Sequence, residues 1–167
     1  IGAEVEKAVC EVLRSGSYIL GPNCKALEAE LAKYIGCNYT VALNSGTDAL
    51  HLGLRALDIG AGDEVITTAF TFVATTEAIG IVAATPVFAD IDPDTFNIDP
   101  KKIEERITPK TKAIIPVHLY GQPCDMDAIM DIAKRHNLYV IEDCCQAIGA
   151  EYKGQKVGTF GDIGCYS

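Results

Sequence analysis

Three short polar segments of the chain could bind a small molecule or assist a reaction on it. The first, residues 44–48, reads Asn-Ser-Gly-Thr-Asp and lies between a predicted strand and a predicted helix. Its backbone N–H groups and hydroxyls suit a phosphate, although helix capping is the commoner role of such residues. The sequence contains no GxxxxGKS/T and no GxGxxG motif, so it has neither a P-loop nor a dinucleotide fingerprint.

The second segment is a pair of carboxylates, Glu142 and Asp143, which follows the apolar residues 139–141. Ligands of open α/β sheets bind beyond the carboxyl ends of the strands, so this strand is expected to deliver both acids to such a site. A carboxylate there can hold a proton on a cationic ring nitrogen or cap a loop. A metal site is not expected, because the nearby histidine and carboxylates lack the usual ligand spacing.

The third segment places aromatic side chains after two other predicted strands. Phe70 and Phe72 follow the strand predicted over Glu64–Thr68, and either ring could stack on a planar ligand or pack in the core. His118 and Tyr120 end a strand predicted over 113–118, and we expect them to face the same side. A hydrogen-bonded structural role is the commoner one for such a histidine.

The elements that must position these segments follow from the spacing of apolar residues. Helices are predicted over 5–15, 23–35, 44–57, 75–83, 100–106 and 125–136, with Asn23 as the cap of the second. Strands are predicted over 39–43, 64–68, 86–91, 113–118, 139–141 and 163–167, and Gly154 and Gly158 indicate a turn. The alternation predicts an α/β fold in one domain, with a mostly parallel sheet sandwiched by helices.

Composition narrows the possible partners. Fourteen basic and 23 acidic residues give a net charge of −9, which argues against nucleic acid and anionic membranes. The longest nearly apolar run, residues 78–89, is too short to span a bilayer, and no signal peptide is evident. Seven cysteines at irregular spacing, without a CxxC pair, predict reduced thiols in a cytoplasmic protein.

Several motifs occur together in one order along the chain. They are Gly21-Pro, Asn44-Ser-Gly-Thr-Asp-Ala-Leu, Phe70-Thr-Phe-Val-Ala-Thr, Ala84-Thr-Pro-Val-Phe, Pro116-Val-His-Leu-Tyr-Gly, Ile141-Glu-Asp-Cys-Cys-Gln-Ala-Ile-Gly-Ala and Gly161-Asp-Ile-Gly-Cys-Tyr-Ser. This series resembles the DegT/DnrJ/StrS family of sugar aminotransferases, which have fold type I and use pyridoxal 5′-phosphate (PLP). The resemblance implies that residues 1–167 are the N-terminal portion of the large PLP-binding domain, without its C-terminal remainder.

The resemblance also assigns residues to the cofactor ring. Asp143 matches the carboxylate that pairs with the protonated pyridine nitrogen, and Gln146 matches the residue near the ring hydroxyl. Phe72 matches the aromatic side chain that stacks on the ring, which leaves Phe70 for the core.

Further matches concern the phosphate of the cofactor. Gly46 and Thr47 match the phosphate-binding turn, and Ser167 matches another phosphate-binding hydroxyl. Cys144 and Cys145 depart from the small residues that are usual in the family, and they could make the site sensitive to oxidation.

The Schiff-base lysine of the family is expected beyond Ser167. Lys153 and Lys156 do not match its motif and are expected in an exposed hairpin. The activity implied by the resemblance is transfer of an amino group, with glutamate as donor, to a keto group of a nucleotide-linked deoxysugar by a homodimer. The 167 residues alone are expected to be inactive. Two alternatives stay open: a sugar dehydratase that uses pyridoxamine 5′-phosphate (PMP), with histidine in place of the lysine, and a non-catalytic fragment that keeps the pocket.

Overall fold

The computed structural model describes residues 2–167, in which two compact units meet in sequence at Ala42 and Leu43. The first unit holds two helices, α1 (Ala3–Ser15) and α2 (Pro22–Ile35). Both helices end at glycines in the left-handed region, Gly16 with φ 69° and Gly36 with φ 87°. A residue without Cβ adopts this conformation at little cost, so the predicted ends of both helices are confirmed.

Two predictions for this part of the chain are wrong. Gly21, not Asn23, is the N-cap of α2, because Pro22 occupies the first turn, where its fixed φ and missing N–H are tolerated. Residues 39–43 form no strand. The backbone N–H of Ala42 donates to Glu28 Oε1 at 2.9 Å, so a side chain of α2 accepts the hydrogen bond that a neighbouring strand would accept.

The second unit is built on a five-stranded parallel sheet. Its strands are β1 (Glu64–Thr68), β2 (Thr85–Ala89), β3 (Thr111–Ile114), β4 (Tyr139–Asp143) and β7 (Ile163–Cys165), in the order β2-β1-β3-β4-β7. A small antiparallel hairpin, β5 (Glu151–Tyr152) and β6 (Gln155–Lys156), precedes β7. The helices are α3 (Gly46–Ala56), α4 (Val73–Ile81), α5 (Pro100–Glu104) and α6 (Met126–His136), with a 3-10 turn at Leu119–Gly121.

Apolar side chains cover both faces of the sheet. On one face, Val65 and Ile141 pack with Leu50 and Leu54 of α3 and with Ile79 of α4. On the opposite face, the neighbouring strand residues Ile66 and Val140 pack with side chains of α5 and α6. Because successive residues of a strand point to opposite sides, a strand buried on both faces reads as a continuous apolar run. The predicted α/β sandwich is confirmed.

Some boundaries differ from the prediction. α4 begins at Val73, two residues before the predicted start, and β3 ends at Ile114 rather than at His118. Pro116 has no N–H to donate to a neighbouring strand, which accounts for the early end of β3. Among the helices of residues 2–167, none is both long and apolar enough to cross a membrane.

Candidate active site at the carboxyl edge of the sheet

A cavity of about 140 Å³ lies where the parallel strands end. Its walls come from the segments that follow β1, β3, β4 and β7, together with the N-terminus of α3. All the residues that the sequence assigned to a cofactor line it: Gly46, Thr47, Phe72, Asp143, Gln146 and Ser167. The structure therefore brings the predicted set together, while the role of each member remains a prediction.

The N-terminus of α3 forms the part of the cavity suited to an anion. Ser45 caps this helix: its Oγ accepts the N–H of Asp48 at 3.1 Å and donates to Asp48 Oδ2 at 2.9 Å. Gly46 and Thr47 occupy the first two positions of the helix, where backbone N–H groups have no partner within the helix. The helix dipole favours a negative group at the same place. Ser45 thus caps the helix, and the backbone N–H groups of Gly46 and Thr47 face the cavity end of α3 without a partner within the helix.

Gly46 sits in a contact that leaves no room for a side chain. A Cβ at this position would lie 2.6 Å from Cys145 Sγ and 2.9 Å from Ser167 Cβ. Neither distance is compatible with van der Waals radii, so glycine is required by close packing at this position. The same contact places Ser167 beside the N-terminus of α3.

Asp143 supplies a buried carboxylate to the cavity. It ends β4 and is 5% exposed. Its Oδ2 accepts the hydroxyl hydrogen of Thr75 at 2.8 Å, and its Oδ1 accepts the backbone N–H of Cys145 at 3.2 Å. These two donors fix the orientation of the carboxylate. A cationic N–H of a ligand in the cavity would find an acceptor of opposite charge here.

Two other predicted residues, Phe72 and Gln146, are exposed, whereas Asp143 is buried. Phe72, the N-cap of α4, is 69% exposed and lines the cavity. Gln146 Oε1 accepts the backbone N–H of Tyr120 at 3.0 Å. The expectation that Phe70 packs in the core is wrong: its ring is 45% exposed and lies 5.9 Å from the Phe96 ring. Phe70 lies two residues beyond the end of β1.

Glu142 does not reach the cavity, which corrects the expectation that β4 delivers two acids to one site. Its side chain points to the opposite face and is fully buried. Oε1 accepts the backbone N–H groups of Phe160 (2.8 Å) and Gly161 (2.7 Å). Oε2 accepts the N–H of Gly158 (2.7 Å) and lies 3.1 Å from His118 Nε2. Strand alternation was the available signal for this division between the two acids.

His118 and Tyr120 are not on the same side, contrary to expectation. His118 is fully buried, whereas the Tyr120 ring is 76% exposed. The backbone N–H of Cys124 donates to His118 Nδ1 at 3.0 Å, so Nδ1 is an acceptor and the ring hydrogen belongs to Nε2, facing Glu142. The chain reverses between the two residues, with Tyr120 in the left-handed region at φ 55°.

His118, Glu142 and Cys144 are the one group of potential metal ligands that lie close together among residues 2–167. The two histidine nitrogens and both carboxylate oxygens already take part in hydrogen bonds, which leaves no free ring lone pair for an ion. Burial also raises the pKa of the Cys144 thiol, which disfavours the thiolate that binds metals. These contacts describe a structural network.

The thiols beside the cavity are held in their neutral form. Burial is the main cause that raises the pKa of both Cys144 and Cys145, and the charge of Asp143 adds to it for Cys145. Because thiolates are the readily oxidised form, this environment works against the expected sensitivity to oxidation.

Lys153 and Lys156 do not line the cavity. Lys153 pairs with Asp127, and Lys156 lies 3.0 Å from Glu151 Oε1. Both belong to the predicted hairpin, in which the Lys153 side chain is 68% exposed, whereas the Lys156 side chain is only 22% exposed.

The fold and its cavity define the class of α/β proteins that bind a ligand at the carboxyl edge of a parallel sheet. The chain belongs to the DegT/DnrJ/EryC1/StrS aminotransferase family, which matches residues 1–167. The predicted family is therefore confirmed.

Named relatives share this part of the fold. The UDP-N-acetyl-3-dehydro-α-D-glucosamine 3-aminotransferase of Acidithiobacillus ferrooxidans is 56% identical over 164 residues, which are 98% of the chain and 44% of that protein. An aminotransferase structure from Psychrobacter cryohalolentis has a TM-score of 0.97 at 50% identity, covering 100% of the chain and 43% of its own. NtdA of Bacillus subtilis with bound PMP has a TM-score of 0.92 at 46% identity, covering 98% and 38%. The chain thus spans less than half the length of these proteins.

Proposed function

We propose that the protein containing this chain is a PLP-dependent aminotransferase that acts on a keto group of a nucleotide-linked deoxysugar, with glutamate as amino donor. Residues 1–167 would form the N-terminal portion of its PLP-binding domain. Two relatives support the proposal: one is named for amino transfer to a UDP-linked keto sugar, and the other was crystallised with PMP. The observation that carries it is the buried Asp143 carboxylate in the same cavity as the N-terminus of α3.

The cavity fits a phosphorylated pyridine ring in the chemistry of its donors. An anion-binding helix N-terminus and a hydroxyl lie together at Gly46, Thr47 and Ser167, which suits a phosphate. The Asp143 carboxylate suits a protonated ring nitrogen, since both of its oxygens are already fixed by donors from the protein. The chain is acidic, so it would hold the phosphate by backbone N–H groups rather than by a basic surface.

Each residue then has a definite task. Gly46, Thr47 and Ser167 would bind the phosphate, and Asp143 would keep the hydrogen on the ring nitrogen. Phe72 would cover one face of the ring and exclude water from it, and Gln146 would orient the ring hydroxyl. Bound PLP supplies an electron sink for the electron pair that remains on carbon when a proton is removed. Asp143 contributes to this by holding the ring in its cationic form.

PMP binding to the complete gene product is the direct test of the cofactor site. Fluorescence titration with PMP should show saturable binding, and Asp143→Asn should weaken it. Asp127→Asn is the control, because Asp127 is exposed and pairs with Lys153 on the surface. Absence of saturable binding by the wild-type protein would contradict the proposal.

The reaction needs a separate test. The PLP-loaded protein, given glutamate and a UDP-linked 3-keto sugar, should form the amino sugar and 2-oxoglutarate in equal amounts. Loss of water from the sugar without amino transfer would point to the dehydratase alternative. Binding of PMP without either reaction would point to a non-catalytic protein.

The homodimer and the cytoplasmic location remain predictions. Light scattering on the complete gene product would test the first. All seven cysteines lie within the described residues as free thiols.

A further inference from the structure

A pair of threonines lies behind the Asp143 carboxylate. Thr75, in the first turn of α4, is 1% exposed and donates its hydroxyl hydrogen to Asp143 Oδ2 at 2.8 Å. Thr71, in the segment between β1 and α4, has its Oγ1 only 3.1 Å from Thr75 Oγ1. Both threonines line the cavity beside Asp143.

The direction of these hydrogen bonds follows from the number of hydrogens. A carboxylate oxygen can only accept, so the single hydroxyl hydrogen of Thr75 goes to Asp143. Thr75 Oγ1 must then accept in its contact with Thr71, whose own hydroxyl is the donor. Donation from Thr71 polarises the Thr75 hydroxyl and strengthens its bond to the carboxylate. The chain therefore runs in one direction, from Thr71 through Thr75 to Asp143.

We propose that Thr75, assisted by Thr71, is a positioning residue that keeps the negative charge on Asp143 and thereby keeps the proton on the cofactor ring nitrogen. This inference rests on the proposed function, because it requires a pyridine ring in the cavity. Asp143 and a ring nitrogen share one hydrogen, which can reside on either partner. Donors to the carboxylate stabilise its charged form, so they favour the state in which nitrogen holds the hydrogen.

Removing the Thr75 hydroxyl should shift this shared hydrogen toward Asp143. Thr75→Val keeps the β-branched shape and removes the donor. A hydrogen bond to a charged group is strong enough to change the ratio of protonated to unprotonated ring nitrogen on the order of tenfold. Thr75→Ser retains the donor and should restore the wild-type ratio, which a role in packing alone would not predict.

The measurement is the ¹⁵N NMR shift of PMP labelled at the pyridine nitrogen, bound to the complete gene product. The wild-type signal should be that of a protonated ring, and Thr75→Val should move it toward the unprotonated value. Thr67→Val is the matched control, because Thr67 is equally buried and donates to the Ile115 carbonyl at 2.9 Å, outside the cavity. It removes a buried hydroxyl and should leave the ¹⁵N signal unchanged.

Each outcome decides a different question. An unchanged signal in Thr75→Val with PMP still bound would overturn the positioning role and leave the proposed cofactor site intact. Failure of the wild-type protein to bind PMP would overturn both. If circular dichroism shows that Thr75→Val is unfolded, Thr71→Val replaces it, since Thr71 is only half-buried. This variant should give a smaller shift in the same direction, and a wild-type signal would refute the relay.

Discussion

Replacing Glu142 by glutamine should destabilise the chain strongly, although the change conserves shape. The carboxylate accepts hydrogen bonds from three backbone N–H groups and from His118 Nε2. A glutamine amide has one accepting end and one donating end. Whichever way it is turned, its NH₂ group faces two donors that previously faced an oxygen.

The expected size of the effect follows from those two lost contacts. Hydrogen bonds to a charged group contribute about 1.5–3 kcal/mol each, so two of them amount to about 3–6 kcal/mol. Burying a neutral amide costs less than burying a carboxylate, which recovers part of this sum. We expect a loss of about 3 kcal/mol in the free energy of unfolding, or a drop of roughly 6–12 °C in Tm for a domain of this size.

Urea unfolding followed by circular dichroism measures this difference. Glu104→Gln is the control: Glu104 pairs with Arg135 and His136 on the surface, where solvent screens the charge, and little change is expected. If Glu142→Gln were as stable as the control, Glu142 would not organise the turn at 158–161, and the reasoning would fail.

Three other predictions test the site and its surroundings. Asp143→Ala should abolish amino transfer by the complete gene product while far-UV circular dichroism is retained; near-normal rates would show that Asp143 has no role at the ring nitrogen. Gly46→Ala should cost about 1–3 kcal/mol of stability and weaken PMP binding, because its methyl group overlaps the neighbouring thiol. Gly53→Ala in the same helix is the contrast, since its Cβ would lie 3.5 Å from the nearest side-chain atom; equal losses in both variants would refute the packing explanation. Burial, reinforced by a nearby carboxylate, raises the pKa of the Cys124 thiol to about 12, so at pH 8 iodoacetamide should modify the exposed Cys10 long before Cys124, as peptide mass spectrometry would show.

The sequence was informative wherever one local pattern determined an element. β1 occupies the predicted residues 64–68, and α1 and α2 end where glycine follows the apolar repeat. Residues 39–43 have the alternation of a strand, but a strand also needs a neighbouring backbone, and no pattern within the segment can reveal that Glu28 takes the N–H of Ala42.

The sequence predicted which residues line the cavity better than it predicted the hydrogen bonds between them. Motif order identified the cofactor-binding candidates, and the structure places them around one cavity. The hydrogen bond from Thr75 to Asp143 was not predicted, because the two residues are 68 positions apart and Thr75 looks like any threonine in the first turn of a helix. Its spacing of four residues from Thr71 gave no local signal either, because Thr71 precedes the N-cap of α4 and lies outside the helix.

Glu142 and Asp143 are adjacent in β4 but point to opposite faces of the sheet, so the register of β4 decides which acid faces the cavity. On one face of the sheet, the Glu142 carboxylate accepts hydrogen bonds from backbone N–H groups. On the other face, Asp143 lines the cavity. A slip of one residue in one direction would place Glu142 at the cavity and Ile141 at the turn at 158–161. A slip in the other direction would place Asp143 at that turn and Cys144 at the cavity. Insertions and deletions within this strand should therefore be far more damaging than substitutions at its apolar positions. Redesigns of the pocket should keep the length of this strand fixed and vary the loops around it.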